Sequence, residues 1–254
     1  MPAGTVFLDT TVFADRFFGG RDARREIDSA ISGHTVKSSG YVREQFRATF
    51  LRAAVMVHNA LRTTPDPAEV LLQTDHFAFF QKGEGVKARK VLSNLLRHQN
   101  SNAEAMLVTL QRLVEFDLMS SFDRLATLTD DTKCCQCPDD PKADDNGIYR
   151  FSKKCTLDDP RPCAIKEFWQ KRQVALTVLA AQPTAHPEKT RKAAAEVVQG
   201  KPARGQRCFV HLSDAVIVAE AEPNSTLLTS NTVDFNPIAE AFGEGRTVVG
   251  YKTP

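Results

Sequence analysis

Short runs of apolar and β-branched residues near both ends of the chain are typical of strands in a parallel sheet. The runs at 5–8, 226–228 and 246–249 are continuous rather than alternating, as expected of strands that are buried on both faces. A further strand is predicted at 35–37, and helical segments lie between these strands. The pattern therefore predicts an α/β fold in which helices flank a central parallel sheet.

The middle of the chain has a different pattern. From 67 to 128, apolar residues recur three and four positions apart, which predicts mostly helix. The segment 130–163 is rich in Asp and Pro and holds five of the six cysteines, and another helix is predicted over 164–181. We therefore expect three regions: a core formed by 1–57 and 205–254, a helical part of that core or insertion at 58–128, and a cysteine-containing insertion at 129–204.

The bulk composition is that of an ordinary globular protein. The chain has 254 residues, of which 42% are hydrophobic and 25% charged, and its net charge of +2 favours no particular partner. Its N-terminus lacks the pattern of a signal peptide, and its longest apolar runs are far shorter than the ~20 residues of a membrane span. We expect a cytoplasmic protein with no membrane association.

Acidic and amide residues follow the predicted strands. Asp9 ends the first strand, Glu44 lies in the helix after the second, and Asn231 follows the strand at 226–228. Asp214 opens a strongly apolar helix that leads into that strand. Ligand sites in open α/β sheets lie outside the carboxyl ends of the strands, so these residues are expected to meet there. Crowded carboxylates need a cation, and Mg²⁺ or Mn²⁺ suits oxygen ligands.

Each of these acids also has a purely structural interpretation. Asp9 could cap the helix that follows it, and Glu44 could pair with Arg47 three residues later. Asp214 could be stabilised by the dipole of its helix. Asp234 is predicted to be a turn residue rather than a metal ligand. Only the joint placement of the acids after strands favours a site.

Four segments resemble the motifs of PIN-domain nucleases, a family that includes toxin-type ribonucleases. They are 6–12 (VFLDTTV), 38–44 (SSGYVRE), 211–221 (HLSDAVIVAEA) and 227–235 (LLTSNTVDF). The resemblance covers about the first 57 and the last 45 residues and leaves the middle of the chain unexplained. It implies a PIN-like three-layer fold with a helical insertion.

The resemblance also implies a set of site residues. The implied catalytic residues are Asp9, Glu44, Asp214 and Asn231, and the first three would bind the metal. The implied substrate-binding residues are Thr10, Arg43, Arg47 and Thr229. Asn231 departs from the family, which usually has an Asp there, and the change lowers the negative charge of the site.

The function implied is divalent-metal-dependent hydrolysis of phosphodiester bonds. We expect an endoribonuclease of a toxin or defence-related kind, with RNA favoured over DNA and an inhibitory protein as a further partner. A DNA-cleaving PIN-like nuclease is one alternative. A catalytically weakened module that binds nucleic acid or protein is another, and Asn231 favours it. The long apolar helical face around 91–118 also predicts a homodimer.

The cysteines offer thiolates for a structural zinc site. Cys134 and Cys137 form a CxxC pair, and the second pair would be Cys155 and Cys163. The spacing of the second pair is wider than that of a usual zinc knuckle. Structural disulfides are rare in the cytosol, so zinc and ordinary thiols both stay open.

Overall fold

The computed structural model describes residues 4–76, 84–99, 101–134, 140–151, 155–181 and 188–251. Its strands are β1 (Thr5–Leu8), β2 (Thr35–Ser39), β3 (Thr127–Thr129), β4 (Lys142–Ala143), β5 (Tyr149–Arg150), β6 (Thr226–Thr229) and β7 (Thr247–Gly250). Five of them form a parallel sheet in the order β3-β2-β1-β6-β7, and β4 and β5 form a separate antiparallel pair. The predicted α/β class with a central parallel sheet is confirmed.

Helices make up most of the remaining described chain. They are α1 (Thr10–Phe18), α2 (Arg21–Ile31), α3 (Gly40–Phe46), α4 (Arg52–Thr63), α5 (Pro67–His76), α6 (Glu84–Gln99), α7 (Ala103–Arg112), α8 (Leu118–Leu125), α9 (Ile165–Lys171), α10 (Gln173–Ala181), α11 (Glu188–Val198), α12 (Ser213–Glu220) and α13 (Thr232–Phe242). Single π-helical turns join α3 to α4 and α7 to α8, and a third precedes α12. No helix in the described part of the chain is long and apolar enough to cross a membrane.

All four predicted strands are present in the sheet. β1 has the predicted boundaries, whereas β2 and β6 run slightly further than predicted. β1 is central, since Val6 pairs with Val36 on one side and with Thr226 on the other. The side chains of Phe7 and Leu8 are fully buried, which explains why this strand is continuously apolar.

The prediction that the sheet comes only from the two ends of the chain is wrong. β3 begins at the end of the region predicted to be mostly helix and extends one residue beyond it, and it pairs with β2 as an edge strand. A strand of three largely exposed residues is too short to show a period of its own. The helix predicted over 164–181 is also interrupted, because Arg172 has non-helical dihedrals between α9 and α10. The Arg172 guanidinium donates a hydrogen bond to Asp131 Oδ2 at 2.9 Å.

The chain changes direction across the sheet at β1. From β1 it continues to β2 and β3 on one side, and it later returns to β6 and β7 on the other. In sheets of this kind, the crevice outside the carboxyl ends of the strands on either side of such a switch is the usual ligand site. Asp9 follows β1 and Asn231 lies just beyond β6, so both residues are at that crevice.

The helical middle region packs into the same core as the sheet. The apolar positions that predicted a dimer face include Val91, Leu95, Leu110 and Leu118, and all four are buried within the chain itself. α4 contacts both α6 and α7, so this face is covered by neighbouring helices. The observation on which the homodimer prediction rested is therefore removed, and the homodimer itself stays a prediction.

Candidate active site

A pocket of about 340 Å³ opens beside β1 and β6. Four of the residues implied by the sequence motifs line it: Asp9, Thr10, Asp214 and Asn231. The chain segments that carry them lie at opposite ends of the sequence, and the parallel pairing of β1 with β6 brings them together. Of the residues expected to meet at one edge of the sheet, Asp9, Asp214 and Asn231 line this pocket.

Asp9 is held in place by two hydroxyl groups, one from the first turn of α1 and one from the end of β6. Its side chain is buried, and its Oδ2 accepts hydrogen bonds from Thr11 Oγ1 at 2.7 Å and Thr229 Oγ1 at 2.8 Å. It occupies the N-cap position of α1 but makes no side-chain capping bond. Burial raises the pKa of Asp9, and the two threonine hydroxyls partly offset that rise.

Thr229, which was expected to bind substrate, supports Asp9 from within the protein. Its side chain is fully buried, and its hydroxyl oxygen also accepts from the backbone N–H of Asn231 at 3.0 Å. Thr11 has a matching role, since its hydroxyl oxygen accepts from the backbone N–H of Ser230 at 3.0 Å. The loop after β6 is therefore tied to the same hydroxyls that fix the Asp9 carboxylate.

Asp214 lies in the first turn of α12 and faces the same pocket. Ser213 Oγ donates to its Oδ1 at 3.2 Å. Burial raises the pKa of Asp214 to about 7, and the negative charges of Asp9 and Asp234 add to that rise. Asp9 and Asp214 lie in one pocket, and both have raised pKa values. Either a bound proton or a bound cation would relieve the repulsion between their two carboxylates.

Asn231 presents an amide to the pocket where an acid is usual in the family it resembles. Its Nδ2 donates to Asp234 Oδ2 at 2.7 Å, which leaves its carbonyl oxygen to interact elsewhere. Asp234 lies in the first turn of α13, because the helix begins at Thr232 and continues through Pro237. The prediction that Asp234 is a turn residue is therefore wrong, and its observed role is to orient the Asn231 amide.

Glu44 does not line the pocket, in contrast to the expectation from the motif. Its carboxylate pairs with Arg43 at 3.1 Å and with Arg47 at 3.9 Å, and burial raises its pKa. The next residue, Gln45, lines the pocket instead, and its Oε1 accepts from the Thr10 hydroxyl. Adjacent residues on a helix point about 100° apart, so only one of the two faces the pocket.

Arg43 and Arg47, which were expected to bind the substrate, form ion pairs with acidic residues that include Glu44. Arg43 donates to both carboxylate oxygens of Asp123, at 2.7 and 2.9 Å. Arg47 is buried and pairs with Asp140 as well as Glu44. Neither arginine lines the pocket, so their predicted contact with substrate gains no support from the geometry.

Two single substitutions, Glu44→Gln and Gln45→Glu, test which of these neighbouring residues contributes to the metal site. We expect Glu44→Gln to keep metal-dependent cleavage within a few fold of wild type, because this side chain is turned toward two arginines. Gln45→Glu adds a carboxylate to the pocket and should lower the Mn²⁺ concentration needed for half-maximal cleavage. Cleavage rates measured over a Mn²⁺ series check both. Loss of cleavage in Glu44→Gln together with an unchanged Mn²⁺ requirement in Gln45→Glu would contradict the assignment.

Some lining residues gave no recognisable signal in the sequence. Asp15 comes from α1, and Lys87 and Lys90 come from α6 in the middle of the chain. Lys90 forms an ion pair with Asp15. The pocket is therefore acidic at the sheet and carries lysines at α6.

The oxygen atoms around the pocket fit a hard divalent ion. Mg²⁺ and Mn²⁺ prefer oxygen ligands, and Mg²⁺ usually keeps several waters and uses only one or two carboxylates. Asp9 and Asp214 supply two carboxylates, and Asn231 and Gln45 add amide oxygens. In the described residues no three His, Cys, Asp or Glu side chains form a metal-binding group, so amide or water oxygens would have to complete the shell.

The zinc prediction cannot be followed through all four cysteines, because Cys137 lies outside the described residues. Within the described residues, Cys134, Cys155 and Cys163 form no disulfide with one another. Cys155 is buried, and its Sγ accepts from Arg204 Nε at 3.3 Å. A structural zinc site stays a prediction.

Comparison of the chain with models of known protein families, with curated proteins and with solved structures found no match.

Proposed function

We propose that this protein is a divalent-metal-dependent nuclease with a PIN-like fold, which hydrolyses phosphodiester bonds in RNA. The observation that carries this proposal is the shared pocket of Asp9 and Asp214. Their burial and mutual repulsion hold the pKa of Asp214 at about 7, and a bound cation would relieve that repulsion. The motif resemblance at both ends of the chain supports the same conclusion.

The residues of the pocket have separate roles in this proposal. Asp9 and Asp214 hold Mg²⁺ or Mn²⁺ directly or through water, and the Asn231 carbonyl oxygen completes the site. When bound, the ion lowers the pKa of a bound water and offsets charge on the phosphate. Thr11 and Thr229 keep Asp9 in a fixed orientation through their hydrogen bonds.

A second candidate function is binding of nucleic acid without cleavage. Asn231 favours it, because an amide at this position gives the site less negative charge than the usual acid and so weakens its hold on a cation. DNA as the substrate is the other alternative, since the proposed metal chemistry is the same for either sugar–phosphate backbone.

Cleavage of labelled single-stranded RNA, single-stranded DNA and duplex DNA tests the proposal. Each substrate is incubated with Mg²⁺, Mn²⁺ or EDTA. We expect single-stranded RNA to be cut with either ion and left intact in EDTA. Cutting of DNA alone would move the assignment to a DNA nuclease. Binding with no cutting of any substrate would establish the non-cleaving module instead.

A further inference from the structure

We propose that Lys90 binds a backbone phosphate of the nucleic acid at the mouth of the acidic pocket, and that Asp15 and Tyr251 position it. This inference rests on the proposed function, because it assigns a substrate contact to the same site. It places a substrate-binding residue on α6, a helix from the middle of the chain for which the motif resemblance gives no role.

Two groups contact the Lys90 side chain, and a third holds one of them. Its ammonium forms an ion pair with Asp15 Oδ1 and lies 5.9 Å from the centroid of the Phe50 ring. The Tyr251 hydroxyl donates to Asp15 Oδ2 at 2.8 Å, so the carboxylate that holds the lysine is itself held by the last described strand region. Asp15 is buried, and a carboxylate at such a position is normally paired.

The held ammonium still faces the pocket. Lys90 lines it together with Asp9 and Asp214, and 32% of its side chain is exposed. An ammonium has three N–H donors, and one ion pair with Asp15 uses only part of that capacity. A phosphate between Lys90 and a cation on the two aspartates would meet positive charge on both sides.

A second lysine strengthens this assignment. Lys87 lies three residues earlier on α6, and it lines the same pocket. Residues three apart on a helix lie on the same face, so the two ammonium groups are presented together. A nucleic-acid strand carries a phosphate at every nucleotide, so two neighbouring cations fit it better than they fit a neutral ligand.

A purely structural interpretation of Lys90 makes a different prediction. If the lysine only neutralises the buried Asp15, then removing both charges together should have no effect on binding. If the lysine contacts a phosphate, the double variant should bind as weakly as Lys90→Gln alone. The double variant has the same net charge as the parent, so it separates a direct contact from a change in the overall field.

The experiment measures binding in an Asp9→Asn background with EDTA, so that it does not depend on cleavage. The probe is a short fluorescently labelled single-stranded RNA, and anisotropy is recorded over a salt series. We expect Lys90→Gln and Lys90→Gln/Asp15→Asn both to bind on the order of tenfold more weakly and to reduce the salt slope by about 0.7, the value for one phosphate contact on a single strand. Lys90→Arg, which keeps the charge, should retain most of the affinity.

Arg97→Gln is the matched control, because this exposed cation lies near the far end of α6 and outside the pocket. Its affinity should equal that of the parent, and thermal melting checks that every variant is folded. Parental affinity in the double variant would overturn the proposal, as would an absence of RNA binding by the parent. If Lys90→Gln weakens RNA binding but the protein with Asp9 intact cuts no RNA, this inference is upheld and the nuclease proposal is rejected.

Discussion

Asp9→Asn is expected to abolish metal-dependent cleavage while leaving the protein folded. The substitution removes one of the two carboxylates proposed to bind the metal and changes the volume of the side chain very little. Loss of a charged group that acts directly at the reacting centre lowers the rate by on the order of 10²–10³-fold or more. Glu44 cannot replace it, because its carboxylate pairs with Arg43 and Arg47 and does not line the pocket, and the Asp15 carboxylate is already paired with Lys90.

The fold should tolerate this change for a specific reason. In the wild-type protein, Thr11 and Thr229 donate hydrogen bonds to Asp9 Oδ2. The carbonyl oxygen of an Asn side chain at this position can accept the same two hydrogen bonds. Burial raises the pKa of Asp9, so the ionised carboxylate is costly where it lies, and a neutral amide avoids that cost. We therefore expect the melting temperature of Asp9→Asn to equal or exceed that of wild type.

Single-turnover cleavage of labelled RNA with Mn²⁺, together with thermal melting, measures both expectations. Asp22→Asn is the control, because this side chain on α2 is 92% exposed and lies outside the pocket. It should cut at the wild-type rate. An Asp9→Asn protein that still cuts RNA at that rate would show that the pocket is not the catalytic site.

Glu220→Gln is expected to stabilise the protein by about 3 kcal/mol at pH 8 and by little at pH 4. Glu220 ends α12, and its carboxyl group is buried without a hydrogen-bond partner among the described residues. Burial raises its pKa from 4.5 to about 7. The nearby hydroxyls of Ser39 and Thr132 offset part of this rise in pKa, and the charges of Asp131 and Asp130 add to it.

The direction of the pH effect follows from proton binding. Below pH 4.5 the carboxyl group is protonated in both the folded and the unfolded chain, so it causes no penalty. Between pH 4.5 and 7 the unfolded chain loses the proton first, and stability falls as the pH rises. Each pKa unit corresponds to 1.36 kcal/mol, so the full cost above pH 7 is about 3 kcal/mol.

Urea unfolding of wild type and Glu220→Gln at pH 4 and pH 8 measures this difference. Glu240→Gln is the control, because Glu240 is exposed on α13 and its loss should leave the pH dependence unchanged. Asp9 and Asp214 also have raised pKa values, so some pH dependence should remain in Glu220→Gln. Equal stability changes for Glu220→Gln at both pH values would mean that the carboxyl group is not strained by burial.

The strands that form the centre of the sheet could be predicted from the sequence because burial on both faces makes them continuously apolar. β1 was predicted with its observed boundaries for this reason. β3 could not be predicted, because its three residues are mostly exposed and its strand conformation comes from pairing with β2. The pattern of apolar and polar residues indicates which positions are buried, and few of the side chains in β3 are buried.

The part of the site that could be predicted from the sequence consists of residues that follow the ends of strands. Asp9 directly follows β1 and Asn231 lies two residues after the end of β6, so the parallel arrangement alone places them together. The choice between Glu44 and Gln45 could not be made in this way, since it depends on the rotation of α3 about its axis. That rotation is set by how α3 packs against α1 and α12.

The lysines of the pocket lie beyond the reach of motif reasoning. Lys87 and Lys90 are part of an ordinary amphipathic helix, and they reach the pocket because α6 packs against α1 and α4. The ion pair of Lys90 with Asp15 joins residues 75 positions apart in the chain. Only the tertiary structure shows that these cations face the aspartates.

The most direct test of the nuclease proposal is RNA cleavage by Asp214→Asn over a series of Mn²⁺ concentrations, with wild type and Asp22→Asn alongside. Wild type and Asp22→Asn should cut with the same dependence on Mn²⁺. Asp214→Asn, which keeps the fold but loses the second carboxylate proposed to bind the metal, should cut at no Mn²⁺ concentration. A folded Asp214→Asn protein that cuts RNA with the Mn²⁺ dependence of wild type would contradict the account.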